Sequence, residues 1–314
     1  MTVADIGENG AIDLIRAISA SERNGDDAAV LQPASPNSRT VITTDMLVQD
    51  RHFRLDWSTP REVGKKAIVE NFADLAAMGS RPVAAVVALS LPPSTTVSFL
   101  TELATGIKEM VDYYSAEFVG GDLTAGEKVV ISVAAIGSLG GSLPPLQLDR
   151  ARAGQSVIAS GVLGHSAAGY ALLKKLGRTN VPTSLDPLVS AHVSPLLNPR
   201  RGLVARATGA SAMTDNSDGL IQDLTAMARA SRVTIALDSE AIEPDELLVE
   251  AAELLEVDPW QWVLCGGEDH TLIGTTTNTA VSGFRTIGRV VSQGAQPVTI
   301  DGQPPRYTEG WASF

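Results

Sequence analysis

The stretch "PREVGKKAIVENFADLAAMGSRPVAAVVALSL", residues 60–91, decides the fold class because a helical pattern runs directly into a strand pattern. Pro60 stands near the start of the first part and Gly79 closes it, which is the usual punctuation of a helix of about five turns. The second part, from residue 82, is a short apolar run rich in Val and Ala, as in a buried strand. The stretch therefore predicts mixed α/β structure.

The same alternation extends in both directions from this stretch. Segments rich in β-branched residues recur at 40–48, 128–139, 155–164, 233–239 and 285–291. Between residues 94 and 115, apolar side chains three or four positions apart form one helical stripe, namely Leu100, Leu103, Ile107, Met110, Val111 and Tyr114. The segment 137–154, "GSLGGSLPPLQLDRARAG", is rich in Gly and Pro and has no clear period. We therefore predict an α/β (α+β) protein of two lobes, residues 1–145 and 146–314.

Charge and cysteine content exclude several classes of function. The 36 Asp and Glu residues outnumber the 24 Lys and Arg residues, and the net charge of -12 opposes binding to nucleic acid or an anionic membrane. Cys265 is the one cysteine, which excludes an internal disulfide and a zinc site built on several thiolates. The first residues carry no basic segment, and every apolar run is far shorter than the roughly 20 residues of a membrane span. We expect a soluble, cytoplasmic protein that acts on small molecules.

Aspartates recur in short motifs beside the predicted strands and helices. Asp26 and Asp27 stand side by side in "GDDAAVL", and two such charges repel each other by about 1 kcal/mol or more unless something screens them. The other motifs are "ITTDMLV" (Asp45), "NFADLAAMG" (Asp74), "VGGDLTAG" (Asp122) and "MTDNSDGLIQDL" (Asp215 and Asp218). We interpret most of them as glycine-punctuated turns. Carboxylates in such loops suit Mg²⁺ ions that neutralise a polyphosphate while a phosphoryl group moves.

Each aspartate also has an ordinary structural interpretation. An Asp near Gly commonly forms a turn or caps a helix, as Asp218 would before "GLIQDL". Asp74 favours the metal interpretation, because its apolar neighbours predict burial and a buried carboxylate requires a partner.

Other catalytic patterns are absent from the sequence. It contains no GxxxxGK[ST] phosphate loop and no protein-kinase motif set, and "GVLGHSAAG" departs from the GxSxG nucleophile elbow. The four histidines lack HExxH spacing, and only His52, seven residues after Asp45, stands in a suggestive place.

Taken in order, the motifs resemble those of the thiamine-monophosphate kinase family. They are "GDDAAVL", "TTDMLVQDRHF", "NFADLAAMG", "VGGDLTAG", "SDGLIQDL" and "GGEDHTL", and the similarity extends from "GENGAIDLI" to the final "GWASF". That family belongs to the superfamily of aminoimidazole ribonucleotide synthetase and selenophosphate synthetase. The resemblance implies Mg²⁺-dependent transfer of a phosphoryl group from ATP to thiamine monophosphate, giving thiamine diphosphate and ADP.

The resemblance also implies roles for individual residues. The implied magnesium ligands are Asp27, Thr43, Thr44, Asp45, Asp74, Asp122, Asp215 and Asp218. The implied ATP contacts are Tyr114, Gly121, Asp122 and Ser217, and the implied contacts to thiamine monophosphate are His52, Glu268 and Trp311. An aromatic face and a carboxylate suit a cationic thiazolium and an aminopyrimidine. Leu148 stands where the family has an Arg near the ATP phosphates, and two alternatives stay open: Arg150 or Arg152 makes this contact through a loop shift, or the contact is absent.

The family pattern further implies an assembly and a mechanism. It predicts a homodimer in which strands of both N-terminal, ATP- and metal-binding lobes close a barrel, with a C-terminal α+β lobe covering the cleft. No Ser is paired in sequence with a plausible base, so we predict direct transfer without a phosphoenzyme. Two alternatives stay open at this stage: another ATP-using synthetase of the superfamily, and a non-catalytic sensor of nucleotide or thiamine phosphate.

Overall fold

The computed structural model describes residues 1–21, 37–278 and 281–310 and confirms the mixed α/β class. The chain forms two compact units, one made of residues 1–75 and 81–142 and the other of residues 76–80 and 143–314. Each unit has its own sheet, of four strands in the first and six in the second. Among the described residues, none of the helices combines the length and apolar character that a bilayer span requires.

The first unit alternates helices with strands in the order that the sequence predicts. Its helices are α1 (Val3–Ile18), α2 (Pro60–Ala77) and α3 (Val97–Tyr113), and its strands are β1 (Arg39–Val48), β2 (Arg81–Leu91), β3 (Glu117–Ala125) and β4 (Val130–Leu139). The strand order is β1-β4-β2-β3, with β2 and β3 parallel and the other pairs antiparallel. Helix α3 makes the crossover between the two parallel strands, as parallel pairing requires.

The two faces of this sheet differ in burial. Along β4, buried residues such as Val133 and Ala135 alternate with partly exposed ones. On β1, Leu47 is fully buried, whereas Ile42 and Met46, which point to the opposite face, are 71% and 53% exposed. The buried face packs against the helices, and α3 contributes the predicted stripe. The described residues of this unit leave the other face largely open.

Two aspartates from the motifs that we interpreted as turns lie inside strands, and for Asp45 this is the strand predicted at 40–48. Asp45 pairs with Val133 in β1, and Asp122 pairs with Ala88 in β3. The two glycines before Asp122 suggested a turn, but they allow close pairing with β2, where the register shifts. The backbone that carries each of these carboxylates therefore belongs to a strand rather than to a loop.

The second unit is larger and has an almost entirely antiparallel sheet. Its strands are β5 (Ser156–Ser160), β6 (Ala210–Asp215), β7 (Val233–Leu237), β8 (Leu272–Thr276), β9 (Arg285–Ser292) and β10 (Val298–Ile300). Its helices are α4 (His165–Leu176), α5 (Asp186–Val193), α6 (Arg201–Ala207), α7 (Leu220–Ser231), α8 (Glu246–Leu255) and α9 (Trp260–Cys265). The strand order is β10-β7-β9-β5-β8-β6, and only β10 and β7 are parallel.

An aliphatic core joins this sheet to its helices. Leu172 of α4, Leu224 of α7, Ile235 of β7 and Ile287 of β9 are fully buried in one continuous cluster. Helix α4 packs with α5, α8 and α9, while α7 packs on β6 and β7. This packing fixes the starts of α4 and α7, where the polar residues of the second unit gather.

Candidate active site

In the first unit, β1 and α2 bring three of the predicted magnesium ligands together. Thr43 Oγ1 donates a hydrogen bond to Asp74 Oδ2 at 2.6 Å. Thr43 and Asp45 lie on the same face of β1 because side chains alternate along a strand. Asp74 is partly buried, and the partner that its burial required is, in this structure, the Thr43 hydroxyl.

Asn71 holds the same strand and was not predicted. Its Oδ1 accepts a hydrogen bond from the backbone N–H of Asp45 at 2.9 Å, and its Nδ2 donates to the Ala67 carbonyl at 3.0 Å. Asn71 is fully buried and lies one turn before Asp74 on α2. No sequence signal marked Asn71, because the backbone N–H that it satisfies is known only once the chain is folded.

Two other predicted ligands of this unit lie elsewhere on the sheet. Thr44 points to the opposite face of β1 from Thr43, and its Oγ1 donates to the Val133 carbonyl at 2.8 Å. Asp122 is exposed on β3, at the far edge of the sheet from β1. Within the described ranges, no three His, Cys, Asp or Glu side chains form a group that alone would hold a metal ion.

His52 follows β1 and is held by the backbone around it. Its Nδ1 accepts a hydrogen bond from the Val48 N–H at 2.9 Å, so in the neutral ring the proton is on Nε2. Its carbonyl accepts a hydrogen bond from Nζ of the buried Lys66 at 3.1 Å. These bonds fix the position of the ring next to the strand that carries Thr43 and Asp45.

Two of the three predicted nucleotide contacts of the first unit border a cavity of ≈ 100 Å³. Gly121 and Asp122 line it together with apolar side chains that include Ile15, Ile107 and Phe118. Tyr114 is not among its lining residues: it is 3% exposed, and its ring packs edge-on against Phe72 with centroids 5.0 Å apart.

In the second unit, carboxylates crowd at the start of α7. Asp215 ends β6, and Asp218 lies in the loop before α7. Asp223, which was not predicted, accepts hydrogen bonds on Oδ2 from the N–H groups of Asp218 and Gly219, at 3.3 and 3.1 Å. The helix is thus capped by Asp223 rather than by Asp218, and its N-cap residue is Gly219.

Burial and the neighbouring charges shift the pKa values of these carboxyl groups. Burial, followed by the charges of Asp215 and Asp218, raises the pKa of Asp223 to about 8. Burial also raises the pKa of Asp218, and the charge of Asp215 adds to the effect. Asn216 Oδ1 is buried nearby and receives no hydrogen bond within the part of the chain that the structure describes. Asp215, Asp218 and the Asn216 amide therefore offer hard oxygen atoms, which are the kind of ligand that a divalent cation prefers.

The loop "GGEDH", residues 266–270, docks onto this acidic loop through its backbone. The Glu268 N–H donates to the Ser217 carbonyl at 2.9 Å, and the His270 N–H donates to the Asn216 carbonyl at 3.2 Å. His270 Nδ1 is also 3.1 Å from Asp215 Oδ2. The loop therefore places Glu268, a predicted substrate contact, beside Ser217, a predicted ATP contact.

This loop adopts backbone conformations that are rare for residues with side chains. Glu268 and His270 have φ angles of 60° and 51°. A Cβ on Gly267 would lie 2.0 Å from the Ser217 carbonyl oxygen, so only glycine allows the two loops to approach this closely. Such strain persists where surrounding contacts enforce it, and it commonly marks functional sites.

Asp269, between these two residues, caps a helix that has no cap of its own. Gly164 precedes α4 with φ 86° and provides no side chain, while Asp269 accepts the Gly164 N–H at 2.5 Å and the Ser166 N–H at 2.8 Å. Asn216 Nδ2 donates to the same carboxylate at 3.2 Å. Burial nevertheless raises the pKa of Asp269 to about 6. Asp269 therefore ties the loop to α4 and to Asn216.

Two predicted contacts lie outside the described residues, namely Asp27 and Trp311. The segment before Trp311 is anchored in the second unit. Tyr307 donates its hydroxyl hydrogen to Asp258 Oδ2 at 2.8 Å, and a Cβ on Gly310 would lie 2.4 Å from the Asp218 carbonyl oxygen. The chain thus approaches the acidic loop immediately before Trp311.

Comparison with known protein families finds two matching domains, one for each of the two sheets. Residues 25–139 match the model of the AIR synthase related protein N-terminal domain, and residues 152–268 match that of the corresponding C-terminal domain. The chain belongs to the AIR synthase related family.

Full-length relatives narrow the class. The chain is 58% identical over 314 residues to a thiamine-monophosphate kinase of Corynebacterium glutamicum, covering 100% of this chain and 95% of the relative. It is 43% identical to that of Mycobacterium tuberculosis, covering 100% and 93%. A solved structure of AaThiL complexed with AMPPCP and TMP superposes with a TM-score of 0.81 at 32% identity, covering 100% of this chain and 99% of that chain. Within the AIR synthase related family, the chain belongs to the thiamine-monophosphate kinases.

Proposed function

We propose that this kinase transfers the γ-phosphoryl group of ATP directly to the phosphate of thiamine monophosphate, with Mg²⁺ held by its aspartates. The observation that carries the proposal is the grouping of Asp215, Asp218 and Asp223 at the start of α7, where burial, followed by the charges of Asp215 and Asp218, raises the pKa of Asp223 to about 8. Carboxylates that repel one another are retained in a protein where a bound cation offsets the repulsion. A sensor that only bound its ligands would not require such crowding.

The residues present fit Mg²⁺ in kind, since they offer hard oxygen ligands. We assign Asp27, Asp45, Asp74, Asp122, Asp215 and Asp218 as its carboxylate ligands, with Thr43 and Thr44 contributing oxygen atoms. When bound, such ions neutralise the polyphosphate and align donor and acceptor oxygens.

The chain's own residues would hold the two substrates. Gly121 and Asp122 border a cavity with apolar walls, and together with Ser217 and Tyr114 they form the assigned ATP contacts. His52, Glu268 and Trp311 are assigned to thiamine monophosphate, where a carboxylate favours a cationic thiazolium and an amino group. The acceptor phosphate needs little help from a base, because its second pKa is about 6.

Among the described residues of the second unit, neither the cysteine nor the serine that lies beside a histidine is well placed to serve as a phosphorylated nucleophile. Burial, and then the charge of Glu309, raises the pKa of the Cys265 thiol and keeps it protonated. The structure does bring a Ser beside a His, which the sequence did not predict: Ser166 Oγ is 3.2 Å from His192 Nδ1. Ser166 is 1% exposed, however, so a polyphosphate has no access to it. The γ-phosphorus would therefore form its new bond to the acceptor oxygen as its bond to ADP breaks.

The assembly and location complete the proposal. We propose a homodimer formed through the open face of the four-stranded sheet, working in the cytoplasm, where a single unpaired cysteine is typical.

Purified protein incubated with magnesium-ATP and thiamine monophosphate should yield thiamine diphosphate and ADP in equal amounts. No thiamine diphosphate should form when EDTA is present. A chiral, isotopically labelled γ-phosphate should show inversion at phosphorus, because a single displacement inverts configuration. Net retention, or label bound to the protein when no acceptor is present, would contradict direct transfer.

A further inference from the structure

His192 lies on α5 beside the carboxylate of Glu268, and neither sequence motifs nor the proposed mechanism use it. Its Nδ1 is 3.2 Å from Glu268 Oε2 and 3.2 Å from Ser166 Oγ. The ring is 8% exposed and packs edge-on against Tyr170, with centroids 5.5 Å apart. We propose that His192 is a positioning residue that aims the Glu268 carboxylate at the acceptor substrate. This inference rests on the proposed role of Glu268 in binding thiamine monophosphate.

The chemistry of the contact fixes the proton on His192. An ionised carboxylate only accepts hydrogen bonds, so a contact with Glu268 Oε2 requires a hydrogen atom on Nδ1. Ser166 Oγ then accepts from the same N–H. The ring nitrogen that faces Ser166 is therefore a donor and does not act as a base toward it.

Glu268 requires such support because its backbone alone does not fix its carboxylate. The backbone is held by φ 60° and by the bond to Ser217, but a Glu side chain still has three rotatable bonds. The side chain is 26% exposed, and restricting its rotamers costs conformational entropy. A hydrogen bond from a buried ring on a packed helix restricts them before the substrate arrives, which favours binding.

The position of His192 is itself well determined. Helix α5 packs against α4, which carries Ser166 and Tyr170. Asp269, next to Glu268, holds the Ser166 N–H at the start of α4. Ser166 therefore connects the two parts of the site: its N–H contacts the loop that carries Glu268, and its Oγ contacts His192.

A matched pair of variants isolates the hydrogen bond. His192→Asn and His192→Leu remove the same ring and leave side chains of nearly equal size, but only Asn places an N–H near the position of Nδ1. We expect His192→Leu to raise the Kd for thiamine monophosphate about tenfold, measured by calorimetry with AMPPCP and Mg²⁺ present. His192→Asn should stay within about threefold, and the Kd for AMPPCP should be unchanged in both. Equal effects of the two variants, or an equal loss of nucleotide binding, would overturn the proposal.

Two further measurements separate this proposal from folding defects and from the proposed function. His192→Phe keeps a ring against Tyr170 and replaces His192→Leu if that variant does not fold. Nitrogen-15 NMR of the imidazoles should show His192 protonated on Nδ1 in the substrate-free protein and should show that signal shifted by Glu268→Gln. An unchanged signal overturns the inference whatever the activity, whereas wild-type protein that makes no thiamine diphosphate contradicts the proposed function alone.

Discussion

At the scale of single residues, Asp74 separates a role in folding from a role in catalysis. Asp74→Asn keeps an oxygen that accepts the Thr43 hydroxyl but removes the charge. We therefore expect thermal stability within about 0.5 kcal/mol of the wild type and turnover reduced at least a hundredfold, because a magnesium ligand is lost. Differential scanning calorimetry and steady-state kinetics check the two halves. An unfolded variant would indicate a structural role instead, and a folded variant with near-normal turnover would exclude Asp74 as a ligand.

Asp223 makes a pH-dependent contribution to stability whose sign follows from its raised pKa. In the unfolded chain this carboxyl has its ordinary pKa of 3.8, while in the folded protein its pKa is about 8. Between these values the folded state binds more protons, so the free energy of unfolding falls as pH rises from about 4 to about 8. Asp223→Asn retains an oxygen for the N–H groups of Asp218 and Gly219 and removes the charge.

We expect Asp223→Asn to lose less stability than the wild type between pH 5 and pH 8, measured by urea unfolding in EDTA. Asp269, whose pKa is raised to about 6, adds a slope of the same sign to both proteins and cancels in the comparison. Identical slopes for the two proteins would contradict the assignment.

The sequence predicted a site residue where that residue belongs to a motif. It did not predict residues whose role depends on burial in the folded chain. Thr43, Asp45 and Asp74 were expected in one site, and the structure places them on facing sides of β1 and α2. Asn71, Asp223 and Asp269 were missed because their importance comes from the backbone N–H groups that they satisfy. Those N–H groups are known only once the chain is folded.

At the scale of secondary-structure elements, the close approach of β3 to β2 depends on a glycine of β3. A Cβ on Gly121 would lie 2.1 Å from the Val87 carbonyl oxygen of β2, whereas a Cβ on Gly120 would meet nothing within 4 Å. Gly121→Ala should therefore destabilise the protein by about 1–3 kcal/mol, and Gly120→Ala should change stability by no more than about 0.5 kcal/mol. Chemical denaturation of both variants provides the measurement. Equal changes at the two positions would mean that the strands can separate without loss.

Elements with a clear period were predicted well, and those without one were not. The strands at 40–48 and 82–91 and the helix after Pro60 agree with the structure within one or two residues at each end. Strand β3 was missed because "VGGDLTA" lacks alternation and its pairing with β2 is parallel, which depends on contacts across α3. The backbone contacts between "GGEDH" and the acidic loop are likewise long-range, and no local pattern predicts them.

At the scale of the whole molecule, the order of the motifs was more informative than any single motif. No single Asp motif distinguished a ligand from a turn or a cap. Six motifs in the family's order indicated both the two-lobed architecture and the kinase class, which the family comparison supports. The sequence alone could not identify a dimer interface. A sheet face can be recognised as exposed only when the pairing of its strands is known.

The open face of the first sheet predicts how copies of this chain associate. Ile42 and Met46 on β1 are 71% and 53% exposed, and the neighbouring β4 presents the partly exposed Ile136 and Ala134 on the same face. An uncovered apolar sheet face is a site for association, and in a twofold dimer each substitution changes the interface twice. Burying one such side chain contributes about 1.5–3 kcal/mol, and a Lys in its place would add an unpaired buried charge.

The double variant Ile42→Lys/Met46→Lys should therefore be a folded monomer where the wild type is a dimer, as measured by light scattering across a range of protein concentrations. Leu196→Lys in the second unit is a matched control, since Leu196 is 68% exposed and is not part of this sheet, and it should leave the dimer intact. Circular dichroism of the double variant should match the wild type, because neither side chain contributes to the buried face. A wild type that is monomeric at all concentrations, or a double variant that remains dimeric, would show that this face does not form the interface.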